Sequence, residues 1–175
     1  MKLLPLSALV ASLALAGCQT MDEAPASLVG EASLMAANGT PAGTARLFDT
    51  GSEVTLSVSL SALPEGTHGV HLHTTGACEA PSFTSAGPHL NPANRQHGFE
   101  NPQGAHLGDL PNAMVDASGN ATVSATLHGT PATVLQQIFD ADGTAVVVHA
   151  TADDYRTDPA GNSGGRIACG VLTPA

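Results

Sequence analysis

Apolar and polar residues alternate most cleanly over EVTLSVSL, residues 53–60, where Val54, Leu56, Val58 and Leu60 share one side and the residues between them are polar. A period of two sustained over that length predicts a strand with one buried face. Weaker versions of the pattern predict strands over 28–35, 44–48, 69–73, 113–116, 121–127 and 145–149, separated by the turn sequences NGT, DTGS, PEGT, DASGN and ADG. Helix is expected only over 133–139, for a turn or two. Many short strands with turn residues between them predict an all-β sandwich or barrel. Two stretches break the rhythm: 74–111, rich in Gly, Pro and Asn, and 151–166. Loops of this kind in a compact domain need something to tie them down, and a metal or a disulfide would do so.

The amino terminus, MKLLPLSALVASLALAGC, runs from Lys2 through an apolar stretch to small residues ending at Cys18. That is the pattern of a secretory signal, too short and too abruptly ended for a membrane span. Its last four residues, LAGC, resemble the lipobox of bacterial lipoproteins; ordinary signal cleavage nearby is the alternative. The resemblance implies a signal peptide over 1–17, a lipid-modified Cys18, a polar tether over 18–26 and one domain over 27–175, exported and held on the periplasmic side or in a cell-envelope membrane.

The length of 175 residues suits a single domain with a real core. With no Trp and one Tyr, that core must be aliphatic. If Cys18 carries lipid, Cys78 and Cys169 remain as one pair in an oxidising compartment. A bridge between them would close a loop of about 90 residues, worth roughly 4–5 kcal/mol in the chain-entropy model. Loss of the signal removes Lys2, the one lysine, and leaves four arginines against 15 acidic residues, a net charge of −11. Nucleic acid is excluded as a partner, because phosphate binding needs a basic surface.

Against this background the histidines stand out. GTHGVHLHTTGAC, residues 66–78, holds three, and on a strand His71 and His73 point the same way while His68 points the other. Two imidazoles on one rigid wall suit a metal. The first long loop adds His89, His97, His106 and Asp109, a set of three nitrogens and one oxygen suited to tetrahedral zinc. His149 ends the apolar run VVVH, so a buried strand carries a further imidazole toward His71 and His73.

Taken in order, GTHGVHLH, CEAPSFTSAGPHLNP, HGFENPQGAHLGDLPN, VVVHATADDY and GNSGGRIACGV resemble the successive signatures of the copper/zinc superoxide dismutase family, bacterial branch, over nearly all the chain from about Ser27. The resemblance implies an eight-stranded Greek-key β-barrel carrying a metal-binding loop and an electrostatic loop. It implies copper on His71, His73, His89 and His149, and zinc on His89, His97, His106 and Asp109, with His89 shared as a bridging imidazolate. Asp153 would hydrogen-bond His71 and His97 from behind, Arg166 would draw the superoxide anion to copper, and Cys78 and Cys169 would form the family disulfide. His68 is placed as a structural histidine bonded to backbone, and His128, without a counterpart, as a surface strand residue.

The implied activity is dismutation of superoxide to oxygen and hydrogen peroxide, with copper cycling between two oxidation states, His89 acting as a proton switch and zinc ordering the site. A lipid-anchored metal buffer without turnover would need the ligands but not Arg166, and a zinc hydrolase would need a general base beside a metal-bound water. Arg166 together with Asp153 favours the dismutase. The partners implied are superoxide, a membrane through Cys18, and in this family's bacterial branch a variable pairing compatible with a homodimer.

Overall fold

The computed structural model describes residues 25–175, so Cys18, the signal and most of the tether lie outside the described residues. The alternation over 53–60 becomes strand β3 (Val54–Leu60), with its four apolar residues buried. Before it lie β1 (Ser27–Ala36) and β2 (Pro41–Asp49); after it come β4 (Gly66–His68), β5 (Val70–His73), β6 (Ala113–Val115), β7 (Ala121–Leu127), helix α1 (Pro131–Ile138), β8 (Ala145–His149), β9 (Arg166–Val171) and β10 (Thr173–Pro174). The main sheet runs β5-β8-β9-β1-β2-β3-β7, with β10 added to β1, and every pairing is antiparallel. A separate two-stranded piece pairs β4 with β6. The late strands β8 and β9 return beside β1, the long connection of a Greek key.

The sheet curls over one aliphatic core that includes Leu34, Leu47, Leu56, Val58, Leu72, Leu110, Val146 and Val148. Register shifts at Leu28/Gly30 and Leu34/Met35 in β1, and at Val148/His149 in β8, supply the extra twist that bends a strand. The shift in β8 also has a local effect. It brings His149 opposite Arg166, so the two side chains start from one corner of the sheet.

Besides β5, whose four residues are all buried, two longer strands escape the alternation rule. All five residues of β8 are buried, and Ala168, Cys169 and Gly170 of β9 are buried in succession. Both faces of this part of the sheet are covered: Val146 and Val148 face the core, while Ala145, Val147 and Cys169 pack against Phe83 and Ala86 of the first long loop. A strand buried on both faces gives no period of two. The helix begins earlier than its apolar pattern, because Thr130 caps it, accepting from the Thr133 N–H at 3.4 Å, and Pro131 fits its first position.

The loop over 74–111 is held down as expected. Cys78 and Cys169 form a disulfide across a separation of 91 residues. The loop also covers the open edge of β5, where the Leu72 N–H donates to Gly108 O (2.9 Å) and the Leu90 N–H to Leu72 O (2.8 Å). His71 lies opposite Asp109, and His73 opposite His89, in isolated bridges along that edge. The edge strand therefore fixes where the loop delivers its ligands.

Candidate metal centre

On β5 the apolar residues Val70 and Leu72 enter the core, so period two sends His71 and His73 to the opposite face, against His89 and His149. These four residues offer ligand atoms that all lie within 4.8 Å of one another. Each ring is oriented from behind. His71 Nε2 meets Asp153 Oδ2 at 2.7 Å, His73 Nδ1 meets the Gly87 carbonyl at 2.8 Å, and His149 Nδ1 meets the Gly164 carbonyl at 3.2 Å. His89 Nδ1 meets Asp109 Oδ1 at 3.1 Å. The opposite nitrogens, His71 Nδ1 and the Nε2 atoms of His73, His89 and His149, remain to face a common point, and those of His71 and His89 are buried with no hydrogen-bond partner. Buried orphans of this kind cost roughly 1–3 kcal/mol each unless something binds them. Four nitrogens suit copper.

The second set centres on Asp109. Its Oδ2 accepts the backbone N–H groups of Gly98 and His106, both at 2.9 Å, and so is fully occupied in holding the loop. Its Oδ1 faces three imidazole nitrogens: Nδ1 of His97 at 3.0 Å, of His89 at 3.1 Å and of His106 at 3.3 Å. The Nδ1 atoms of His97 and His106 are buried without hydrogen-bond alignment to any partner. Ligands at about 2.0–2.1 Å from a tetrahedral zinc stand about 3.3–3.4 Å from one another. The distances to Asp109 Oδ1 come close to those edges, so the residues present fit zinc. His71, His89, His97 and Asp109 also lie within 4.8 Å of one another, which shows how tightly the two sets abut. His89 faces both, with Nδ1 toward Asp109 and Nε2 buried without a hydrogen-bond partner on the other side.

Electrostatics follows from burial. Desolvation lowers His73 to about 2, His149 to about 3 and His89 to about 4, and lowers His71 as well. All four are neutral at pH 7 and ready to bind metal. At His97 burial also works to lower the pKa, but the Asp109 and Asp153 carboxylates outweigh it and raise it to about 9. Burial would raise Asp109 and Asp153, yet the surrounding imidazoles and backbone N–H groups hold both well below the usual carboxylate range. This side of the site therefore demands positive charge, from a proton or from a metal.

Asp153 joins the two sets, its Oδ1 meeting His97 Nε2 at 2.9 Å while Oδ2 meets His71. Arg166 lies at the start of β9 rather than in the second loop, with Nη1 donating to Phe83 O at 2.5 Å and Nη2 to Gly87 O at 2.6 Å. Gly87 O thus holds both Arg166 and His73. His68 stands outside both sets, and its ring nitrogens lie 2.8 Å from the His149 carbonyl and 2.9 Å from the Pro64 carbonyl. Strand parity with His71 and His73 does not set its direction, because Gly69 separates β4 from β5 and the two are not one continuous strand. His128 is exposed but sits just past the end of β7, in a bend rather than a strand, lining a cleft with Arg95 and Thr133.

Three contributors carry no sequence signal. Asn112 clamps Asp153 from 41 residues away, its Oδ1 accepting the Asp153 N–H at 2.8 Å and its Nδ2 donating to Asp153 O at 2.9 Å. Asp158 accepts the His97 N–H at 2.6 Å. Gly161, at φ 62°, leaves room that a Cβ would take from the Asp153 carboxylate and the His97 ring.

Comparison with known proteins agrees with this geometry. Residues 41–172 match the family described as copper/zinc superoxide dismutase. A superoxide dismutase [Cu-Zn] 2 of Aquifex aeolicus is 40% identical over 151 residues, 83% of this chain and 86% of the relative. The superoxide dismutase [Cu-Zn] of Caulobacter vibrioides is 39% identical over 147 residues, 81% and 83% of the two chains. The crystal structure of a superoxide dismutase-like protein from Bacillus subtilis, 37% identical, superposes with a TM-score of 0.74 over 82% of this chain and 97% of that one.

Proposed function

The chain belongs to the copper/zinc superoxide dismutase family, and from that premise we propose how its residues divide the work and where they do it. Its activity is the dismutation of superoxide to oxygen and hydrogen peroxide, with copper and zinc as cofactors. In our assignment His71, His73, His89 and His149 hold copper, and His89, His97, His106 and Asp109 hold zinc. The observation that carries it is the pair of convergent ligand sets joined by His89, whose Nδ1 lies beside Asp109 Oδ1 while its buried Nε2 has no hydrogen-bond partner. Bound copper supplies the one-electron couple that takes an electron from one superoxide and passes it to the next, and zinc supplies fixed positive charge.

The protein's part is binding, orientation and proton handling. Arg166 offers a cation beside the copper set and keeps its position through two backbone carbonyls, leaving its remaining N–H donors for the anion. Burial lowers its pKa, and a guanidinium still stays charged at neutral pH. His89 Nε2 is the atom that carries the proton handed to the departing peroxide, while Nδ1 stays on the Asp109 side. Asp153 keeps Nε2 of His71 and of His97 protonated, so the Nδ1 lone pairs point at the metals.

In the same proposal the enzyme works outside the cytoplasm, tethered by lipid on Cys18. The leader MKLLPLSALVASLALAGC and a disulfide in the described domain support that location. Metal analysis combined with a superoxide-decay assay tests the reading. One copper and one zinc per chain with rapid decay is expected; tight copper without turnover would make the chain a buffer instead.

A further inference from the structure

We propose that Tyr155 is a positioning residue for the metal centre: it closes a ring of hydrogen bonds that holds the Asp153 carboxylate between His71 and His97. The inference rests on the reading of these histidines as the ligands of the two-metal site. The ring has three members. Asn112 grips the Asp153 backbone on both sides, at 2.8 and 2.9 Å. The Asn112 N–H in turn donates to Tyr155 Oη at 2.6 Å. The Tyr155 N–H donates to Asp153 Oδ1 at 2.7 Å, and that same oxygen meets His97 Nε2.

The backbone of Tyr155 marks this as an arrangement imposed from several sides. Its φ of 60° lies in the left-handed region, which a bulky aromatic residue enters only where its surroundings over-determine it. Those surroundings reach across to the first long loop. Tyr155 O accepts the Glu100 N–H at 3.0 Å, the ring lies 5.6 Å from that of Phe99, and the neighbouring Arg156 pairs with Glu100 through Nε at 2.6 Å. One residue thus ties the second loop to the first at the point where Asp153 joins the two ligand sets.

The hydroxyl is the part with a specific role. Phenylalanine could keep the ring contact and the backbone bonds, but it would leave the part-buried Asn112 N–H without an acceptor. The Asn112 backbone would then be less firmly placed, and through its side chain's grip on the Asp153 backbone the carboxylate would lose its fixed angle to His97. A carboxylate behind a metal-binding histidine sets its tautomer and ring orientation, and disturbing such a group typically weakens metal binding about 10- to 100-fold.

The test is a zinc titration of the metal-free protein against a chromophoric chelator, with thermal unfolding of the same samples. Tyr155→Phe should raise the zinc dissociation constant about tenfold. In an Asp153→Asn background the same change should add less than about twofold, because the group through which it acts is already altered. A constant within about twofold of wild type, or a full effect that persists in the Asp153→Asn background, overturns the proposal. So does a fall in melting temperature with no change in zinc affinity, which would make the hydroxyl a support for folding alone. Amide exchange in wild type gives a check that needs no variant: the Asn112 N–H should be strongly protected, and rapid exchange overturns the ring. A wild type that binds no zinc would instead refute the metal-centre reading on which this one stands.

Discussion

Arg166 shows what one side chain contributes where the net charge opposes the substrate. With 15 acidic residues against five basic ones the chain repels superoxide at long range, so only a local cation can guide the anion over the last few ångströms. Arg166→Glu should slow dismutation roughly 10- to 100-fold while both metals stay bound, because the guanidinium is held by the Phe83 and Gly87 carbonyls and is not itself among the proposed ligands. Its rate should also lose the wild type's decline with rising salt, or reverse it. An unchanged rate and salt dependence at full metal content would place the guidance elsewhere. His97 supports a prediction of a different kind. With its pKa raised to about 9 it carries a proton at neutral pH, and zinc must displace that proton to bind. Zinc affinity should therefore rise by about tenfold per pH unit from pH 7 toward 9 and level off above, with proton release on binding measured in a weakly buffered titration. Affinity that is flat over this range would show that His97 is not the group displaced.

At the scale of elements, the long loop over 74–111 becomes a structural part because three attachments hold it: the disulfide, the backbone bonds along β5 and the packing of Phe83 and Ala86 on β8 and β9. The segment between Cys78 and Gly87 also carries the two carbonyls that grip Arg166. Cys78→Ser should lower the stability of the metal-free protein by up to about 4–5 kcal/mol, the entropy of a loop of this length. Denaturant unfolding would measure it, and a loss under about 1 kcal/mol would show that the other attachments suffice. How much of these elements was legible depended on their solvent exposure. β1, β2, β3 and β7 keep at least part of one face toward solvent and reveal themselves by polar residues at alternate positions. β9 is sandwiched and β4 falls within a turn sequence, and neither shows polar residues at alternate positions, whereas β8, sandwiched too, is marked by its unbroken run of valines.

At the scale of the whole molecule, the fold closes one aliphatic core and leaves the proposed metal ligands on the outer face of β5 and β8, roofed by two loops. Among the described residues no helix is long and apolar enough to cross a membrane. Cys18→Ser should yield a protein that no longer partitions with membranes on cell fractionation. Retention in the membrane fraction would rule out the lipid anchor.

Local order alone determined the all-β class, the span of β3, the faces of His71 and His73 and the candidate status of the histidines around them, because period two, turn residues and densely spaced histidines are properties of neighbours in the chain. Tertiary structure alone decided which nitrogen of each histidine is held and which is left over for a metal, since that choice is made by partners far away: Asp153 for His71, Gly87 O for His73, Gly164 O for His149. It likewise decided the part played by Asn112 and Tyr155, whose hydrogen bond spans 43 residues. A hydrogen bond needs two atoms at a set distance and angle, and for residues so far apart in the chain only the folded backbone supplies both.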